Sequence, residues 1–165
     1  MTRKEANALI GQVRSALGEE AITETCSRDG CDVSIGGLPT PLLIADVDVQ
    51  SLSSSISGKR PDFIVFHPDQ TRGGSQLVAM PLELKSGNFD PVGVCEQLQG
   101  GAIFLEKLGS AVARCRPVLV HGCRIPARQL RVLNRQKVVF HNRRLTILKS
   151  RCGLRRNLLN ALTGR

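Results

Sequence analysis

PLELKSG, residues 81–87, is a strand end with a charged pair on it. Side chains of a β-strand alternate between faces, so Glu83 and Lys85 share one face and Leu82 and Leu84 the other. A half-buried carboxylate–ammonium pair is costly unless something uses it. The bland reading is a salt-bridged strand end. Ser86-Gly87 stops the strand directly after the pair.

The flanking sequence gives this strand a partner. Leu77 to Lys85 forms one strand and Phe63 to Phe66 another, joined by a turn over Pro68 to Gly74, so the two should make a hairpin. Asp62 starts the first strand and Glu83 lies late on the second, so the hairpin can bring both carboxylates to one end of the sheet. A second Pro-Asp, Pro68-Asp69, falls in the turn, where Asp is common for backbone reasons.

Farther out, Thr2-Arg3-Lys4-Glu5 has the form of a capping box. Ala6, Leu9, Ile10, Val13, Ala16 and Leu17 follow at helical spacing up to Gly18. Ala21–Thr25 and Asp32–Ile35 read as strands around an Asp29-Gly30 turn, and Leu42–Val49 as another strand. Residues 51–60 form a polar loop, and its Gly58-Lys59 lacks the upstream glycine of a phosphate-binding loop.

Asp90-Pro91 predicts a helix start, with the helix running to about Leu108. A strand over Val118–Val120, a short basic helix over Pro126–Leu133, a hairpin around Asn142-Arg143 and a last helix over Leu154–Leu162 complete the chain. With no repeat or linker, residues 1–165 read as a single α/β domain with a mixed β-sheet flanked by helices. Residues 1–122 form its core, and 123–165 a basic C-terminal extension packed on it.

Charge divides the chain the same way. Residues 1–106 hold 8 Lys/Arg against all 14 Asp/Glu, a balance of −6. Residues 107–165 hold 15 Lys/Arg and no acid, a balance of +15. Such segregation suits a polyanionic partner. The basic part has no long amphipathic helix with aromatics, which disfavours a membrane surface and leaves nucleic acid. There is no Trp or Tyr and only five Phe, so binding through stacked bases is disfavoured and phosphate contacts are expected. Arg124, Arg128, Arg131 and Arg135 recur at helical spacing, and Lys137, Arg143 and Arg144 add to the patch.

No apolar run reaches membrane-spanning length, and MTRKEANALIGQ lacks a signal-peptide pattern. The expected location is cytoplasmic, with association to a nucleoid or nucleus if nucleic acid is the partner. None of the six cysteines forms a CxxC pair. Reduced, apolar cysteines are expected, a Cys26–Cys31 pair or zinc site being the alternative. His67, His121 and His141 read as strand-end side chains.

Two hard oxygen ligands, Asp62 and Glu83, together with a substrate phosphate suit Mg²⁺ or Mn²⁺. Lys85 on the same face would serve an attacking water and the charge growing on the phosphate. Pro61-Asp62 followed by Glu83-Leu84-Lys85 resembles the PD-(D/E)xK nuclease superfamily, and the order helix, three strands, helix, strand is similar to its restriction-endonuclease-like core.

That resemblance implies that Asp62 and Glu83 bind Mg²⁺ (or Mn²⁺), that Lys85 serves the nucleophilic water, and that Gln97 in EQLQGG is the helix glutamine found in many members. The aromatic often found one turn later is replaced by Gly101. Some members add a metal-assisting Glu on the first helix, for which Glu5 is the candidate, the capping box being an equal explanation.

The expectation is a metal-dependent nuclease with DNA favoured over RNA and binding directed by structure or backbone rather than by bases. One site per chain suggests a homodimer. The alternatives are a catalytically inactive nucleic-acid-binding module on the same fold, or a nuclease toxin or effector domain. In the latter case an immunity or complex partner would bind the basic third.

Overall fold

The computed structural model describes residues 1–56, 58–70 and 76–159. Helix α1 (Arg3–Leu17) opens with the expected capping box: the Glu5 N–H donates to Thr2 Oγ1 at 3.3 Å and the Thr2 N–H to Glu5 Oε2 at 2.7 Å. It buries Ala6, Ile10, Val13 and Leu17. Strand β1 (Ile22–Thr23) leads to the hairpin β2 (Cys26–Arg28) and β3 (Cys31–Ser34). Asp29 and Gly30 both have positive φ, 50° and 75°, as a tight hairpin turn requires.

Strand β4 (Leu43–Asp46) and a single-turn helix α2 (Gln50–Ser53), inside the segment read as loop, precede the long hairpin β5 (Phe63–Pro68) and β6 (Leu77–Lys85). Helix α3 (Pro91–Lys107) starts at Asp90, whose carboxylate accepts from the Val92 and Gly93 N–H groups. Then follow β7 (Val112–Cys115), β8 (Val118–His121), α4 (Ala127–Arg135), the hairpin β9 (Lys137–Phe140) and β10 (Arg143–Thr146), β11 (Leu148–Arg151) and β12 (Gly153–Asn157).

The main sheet is mixed, in the order β1-β4-β5-β6-β8-β11, with β7 beside the first half of β6. From β1 to β6 neighbours are antiparallel; β6, β8 and β11 are parallel. Period-two alternation divides its residues between two apolar layers. Leu43, Ala45, Ile64, Phe66, Leu77, Ala79 and Leu119 pack with α1, α3 and α4. Ile44, Phe63, Val65, Val78, Met80, Leu82, Leu84, Val118 and Val120 pack against a small second sheet, β12-β3-β2. Glu83 therefore falls on the helix face, the face of Ala79 and Leu119.

Three expectations change. Residues 123–165 are woven into the fold rather than laid on it: β11 enters the main sheet, β12 enters the second, and Leu133, Val138, Phe140 and Ile147 join the main core. The first residues of the helix expected over Leu154–Leu162 belong instead to a strand over Gly153–Asn157, parallel to β3; Leu158 and Leu159 are helical, and the rest of the expected helix lies outside the described residues. Pairing with a free sheet edge outweighs weak helical preference there. Cys31 and Cys152 form a disulfide across 121 residues, so two cysteines expected to be reduced are joined and Cys26 stays a buried thiol. Cys26 pairs in the ladder with Val33, not with Cys31. No helix among the described residues is long and apolar enough to cross a membrane.

Candidate active site

Asp62 directly precedes β5. The β5–β6 register sets Phe63 opposite Leu82, so the next rung sets Asp62 opposite Glu83. Asp62 Oδ2 accepts the Leu84 N–H at 2.7 Å, which fixes its carboxylate to the main chain of β6. Glu83 is fully buried, and Lys85 Nζ lies 2.5 Å from its Oε1. The Gln97 amide, from α3, and the Lys85 ammonium both approach closely enough to favour the charged carboxylate, yet neither makes a well-directed hydrogen bond to it. The hairpin and α3 thus bring Asp62, Glu83, Lys85 and Gln97 together.

The electrostatics follow from this packing. Burial, and then the charge of Asp62, push the Glu83 carboxyl up to about 7 against the pull of Lys85 and Gln97. Burial also raises Asp62, opposed by the Leu84 N–H and by the charges of Lys85 and Arg28. Two adjacent carboxylates thus stand at this sheet end, Asp62 tied to the Leu84 N–H and Glu83 without a directed hydrogen bond.

A third group of residues is not evident from local sequence. Arg28, on β2, reaches Asp46 Oδ1 at 2.8 Å, Asp48 Oδ2 at 3.4 Å and, through Nε, Asp62 Oδ1 at 3.7 Å. Its guanidinium lies 5.0 Å from the centre of the Phe63 ring, and Arg60 pairs with Asp48 at 3.3 Å. The available signal is Asp46-Val47-Asp48, two carboxylates at alternate positions where a strand ends. Arg28 lies eighteen residues before Asp46 and carries no local mark.

The site opens on a cleft of about 460 Å³ lined by Asp48, Gly58, Lys59, Arg60, Asp62 and Gln97. A roomier groove of about 510 Å³ runs along the outer face of α3 past Val92, Gln99 and Ile103, away from the carboxylate pair. The glycines of EQLQGG have a specific use here. A Cβ on Gly100 would sit 1.9 Å from the Lys59 carbonyl oxygen, and one on Gly101 would sit 2.9 Å from Pro61 Cγ and 3.0 Å from Pro81 Cβ. Only glycine lets α3 press against the 59–61 segment that delivers Asp62. Gly101, which departs from the resemblance as sequence, is explained by this contact.

Other candidates are placed differently. Glu5 is held in its capping box, and its neighbours Thr2, Arg3 and Ala6 line a depression with Pro68 and Asp69, at the end of β5 opposite Asp62. It is therefore not brought to the carboxylate pair, and its low pKa comes from its hydrogen bonds with Thr2. Arg124, Arg128, Arg131, Arg135, Lys137, Arg143 and Arg144 are all exposed. Arg128, Arg131 and Arg135 share α4, whereas Arg124 lies in the loop before it and is not part of the helix stripe.

Cys123 Sγ meets the Ser86 carbonyl and Gln129 the Phe89 carbonyl, so Arg124 and Arg128 flank the loop that follows Lys85. Arg143 and Arg144 pair with Phe140 and Val139, and the hairpin tip meets Glu106 at the far end of α3. Those two arginines are not neighbours of the carboxylate pair.

Among the described residues no group of three or more His, Cys, Asp or Glu is arranged to hold a metal by protein ligands alone. The two-carboxylate set still fits Mg²⁺, which keeps several waters and takes substrate oxygens. The fit rests on Glu83, whose two buried oxygens lack directed hydrogen bonds. No family model, no curated protein and no solved structure matches the chain.

Proposed function

We propose that the protein is a metal-dependent nuclease that hydrolyses phosphodiester bonds, with DNA as its substrate class, on a core of the PD-(D/E)xK, restriction-endonuclease-like type. The observation that carries this is Glu83: a fully buried carboxylate without directed hydrogen bonds, beside an ammonium and a second carboxylate, Asp62, that lines a cleft. A structural ion pair with Lys85 alone would leave this buried carboxylate without a directed hydrogen bond, which is costly. The order α1, antiparallel β4-β5-β6, α3, then β8 parallel to β6 supports the core type. The acid-free last third supports a polyanionic substrate.

Asp62 and Glu83 would hold Mg²⁺ or Mn²⁺, which when bound supplies a Lewis acid for the phosphate and a more acidic water. The Leu84 N–H keeps Asp62 in place for this. Lys85 shares the Glu83 face, where its ammonium can hold the attacking water and offset charge on the phosphate as it becomes five-coordinate. Gln97 steadies Glu83 from α3. Gly100 and Gly101 keep the cleft wall closed behind Asp62.

A non-catalytic nucleic-acid-binding module is the second reading. It is favoured by the ion pairs Arg28–Asp62 and Lys85–Glu83, which already offset both carboxylates. The deciding experiment is cleavage of supercoiled plasmid with Mg²⁺, Mn²⁺ or EDTA, by the wild type and Lys85→Ala. Metal-dependent nicking that disappears in the variant supports the nuclease. Intact plasmid whose gel mobility shifts in a salt-sensitive way supports the binding module.

A further inference from the structure

The parallel half of the main sheet sets three basic side chains on one rung. Lys85 of β6 is opposite His121 of β8, and His121 is opposite Arg151 of β11. Residues paired across parallel strands point to the same face. Two rungs earlier, on the same face, stand Glu83, Leu119 and Lys149, and Lys149 Nζ donates to Asn134 Oδ1 of α4 at 2.8 Å, so this is the helix face at β11 too.

Arg151 is exposed, and among the described residues it has no ion-pair partner. Burial, and after it the charges of Arg151 and Lys149, hold the His121 imidazole below its usual pKa against the hydrogen bond to Cys123. With strands about 4.8 Å apart, Arg151 stands roughly 10 Å from Lys85 along the rung, on the order of one or two nucleotides of a backbone.

The base of Arg151 is rigid. The next residue, Cys152, donates its N–H to the His121 carbonyl at 3.0 Å and is disulfide-bonded to Cys31. His121 Nδ1 lies 2.8 Å from the Cys123 carbonyl, to which it donates, so the ring between the two cations is also fixed. The loops after β6 and β8 press together: a Cβ on Gly122 would lie 2.7 Å from the Ser86 carbonyl oxygen. The carboxyl ends of parallel strands are where open α/β sheets place their ligands.

We propose that Arg151 is a phosphate-binding residue of this site. It holds a non-scissile phosphate one or two nucleotides from the one attacked at Asp62, Glu83 and Lys85, so that the substrate strand crosses the carboxyl ends of β6, β8 and β11. This rests on the nuclease reading above. It adds a direction for the strand and a residue outside the helix α4 arginines.

Two measurements test it, on wild type, Arg151→Ala and Arg151→Lys, each first shown to melt as the wild type does. The first is the salt dependence of binding to duplex DNA in Ca²⁺. Loss of one phosphate contact lowers the slope of log K against log salt by about 1 in Arg151→Ala, and Arg151→Lys keeps it. The second uses an oligonucleotide with one mapped cleavage position and single methylphosphonates at the flanking phosphates.

One neutralised phosphate should raise the wild-type KM about tenfold, as loss of one charge-assisted contact does, with kcat little changed. Arg151→Ala should show that KM on the unmodified strand and lose nothing more at that phosphate. An unchanged salt slope, or equal sensitivity of wild type and variant to every methylphosphonate, overturns the proposal. Wild type that binds but does not cleave sinks the nuclease reading, and the salt slope then decides Arg151 by itself.

Discussion

Asp62 accepts the main-chain N–H of Leu84, the residue between Glu83 and Lys85, at 2.7 Å. The side chain just before β5 is thereby tied to the backbone that carries Glu83 and Lys85. Asp62→Asn keeps an oxygen acceptor for Leu84 and should fold, while plasmid nicking falls at least about 100-fold with the lost negative charge. Asp62→Ala leaves the N–H unpaired as well and should also lose roughly 1–3 kcal/mol of stability in urea melts. An Asn variant that nicks at more than a tenth of the wild-type rate would remove Asp62 from the mechanism.

The raised Glu83 pKa gives a signed stability prediction for the metal-free protein. The folded state holds the Glu83 proton more tightly than the unfolded state. The contribution of this group is full below its ordinary 4.5 and is lost as pH rises through about 7. A shift of that size corresponds to roughly 3 kcal/mol. Glu83→Gln should flatten the fall in stability between pH 5 and 8 and be more stable than wild type at pH 8. It should also lose the stabilisation that added Mg²⁺ gives the wild type. Parallel pH profiles for the two proteins would show that Glu83 is not strained by burial.

Gly100→Ala separates a packing role from helix propensity. A methyl group 1.9 Å from the Lys59 carbonyl must push out the 59–61 segment and move Asp62. We expect destabilisation of about 1–3 kcal/mol, as for other overpacked sites, together with loss of nicking. Gly11→Ala on α1 meets nothing within 4 Å and should stabilise by about 0.5–1 kcal/mol with activity intact. A Gly100→Ala protein as active as Gly11→Ala would refute the close contact.

Arg28→Gln removes the cation that Asp46, Asp48 and Asp62 share. Without metal the variant should melt at lower temperature, because three neighbouring carboxylates then repel. The same charge should bind divalent ions more tightly. A Mn²⁺ titration by calorimetry should show a lower Kd than wild type or an added site. If both melting and titration are unchanged, the arginine is a surface bystander.

What the sequence made legible was local. The alternation in PLELKSG put Glu83 and Lys85 on one face. Thr2 and Asp90 marked helix starts, and Asp29-Gly30 marked a turn. Each is decided by neighbours within a few residues. What stayed hidden depended on contacts between distant segments.

The strand over Val112–Cys115 is short, with an exposed Arg114 beside Cys115, and exists because β6 is long enough to pair with two strands. Leu154–Asn157 reads as the start of a helix until β3 offers an edge. The Arg28 cluster and the Cys31–Cys152 bond join residues whose spacing carries no signal. Gly100-Gly101 was visible as residues, but its reason was not, since the atom it avoids belongs to Lys59.

The Cys31–Cys152 bond closes a covalent ring in the chain. Asp46, Asp48, Asp62, Glu83, Lys85, Gln97, His121 and Arg151 all lie between its two cysteines, while Arg28 reaches in from just outside. A protease that cuts once in a loop between residues 32 and 151 would therefore open the ring without releasing a fragment. The nicked protein would run as one species until a reductant is added, and every group of the carboxylate site would stay tethered to its partners.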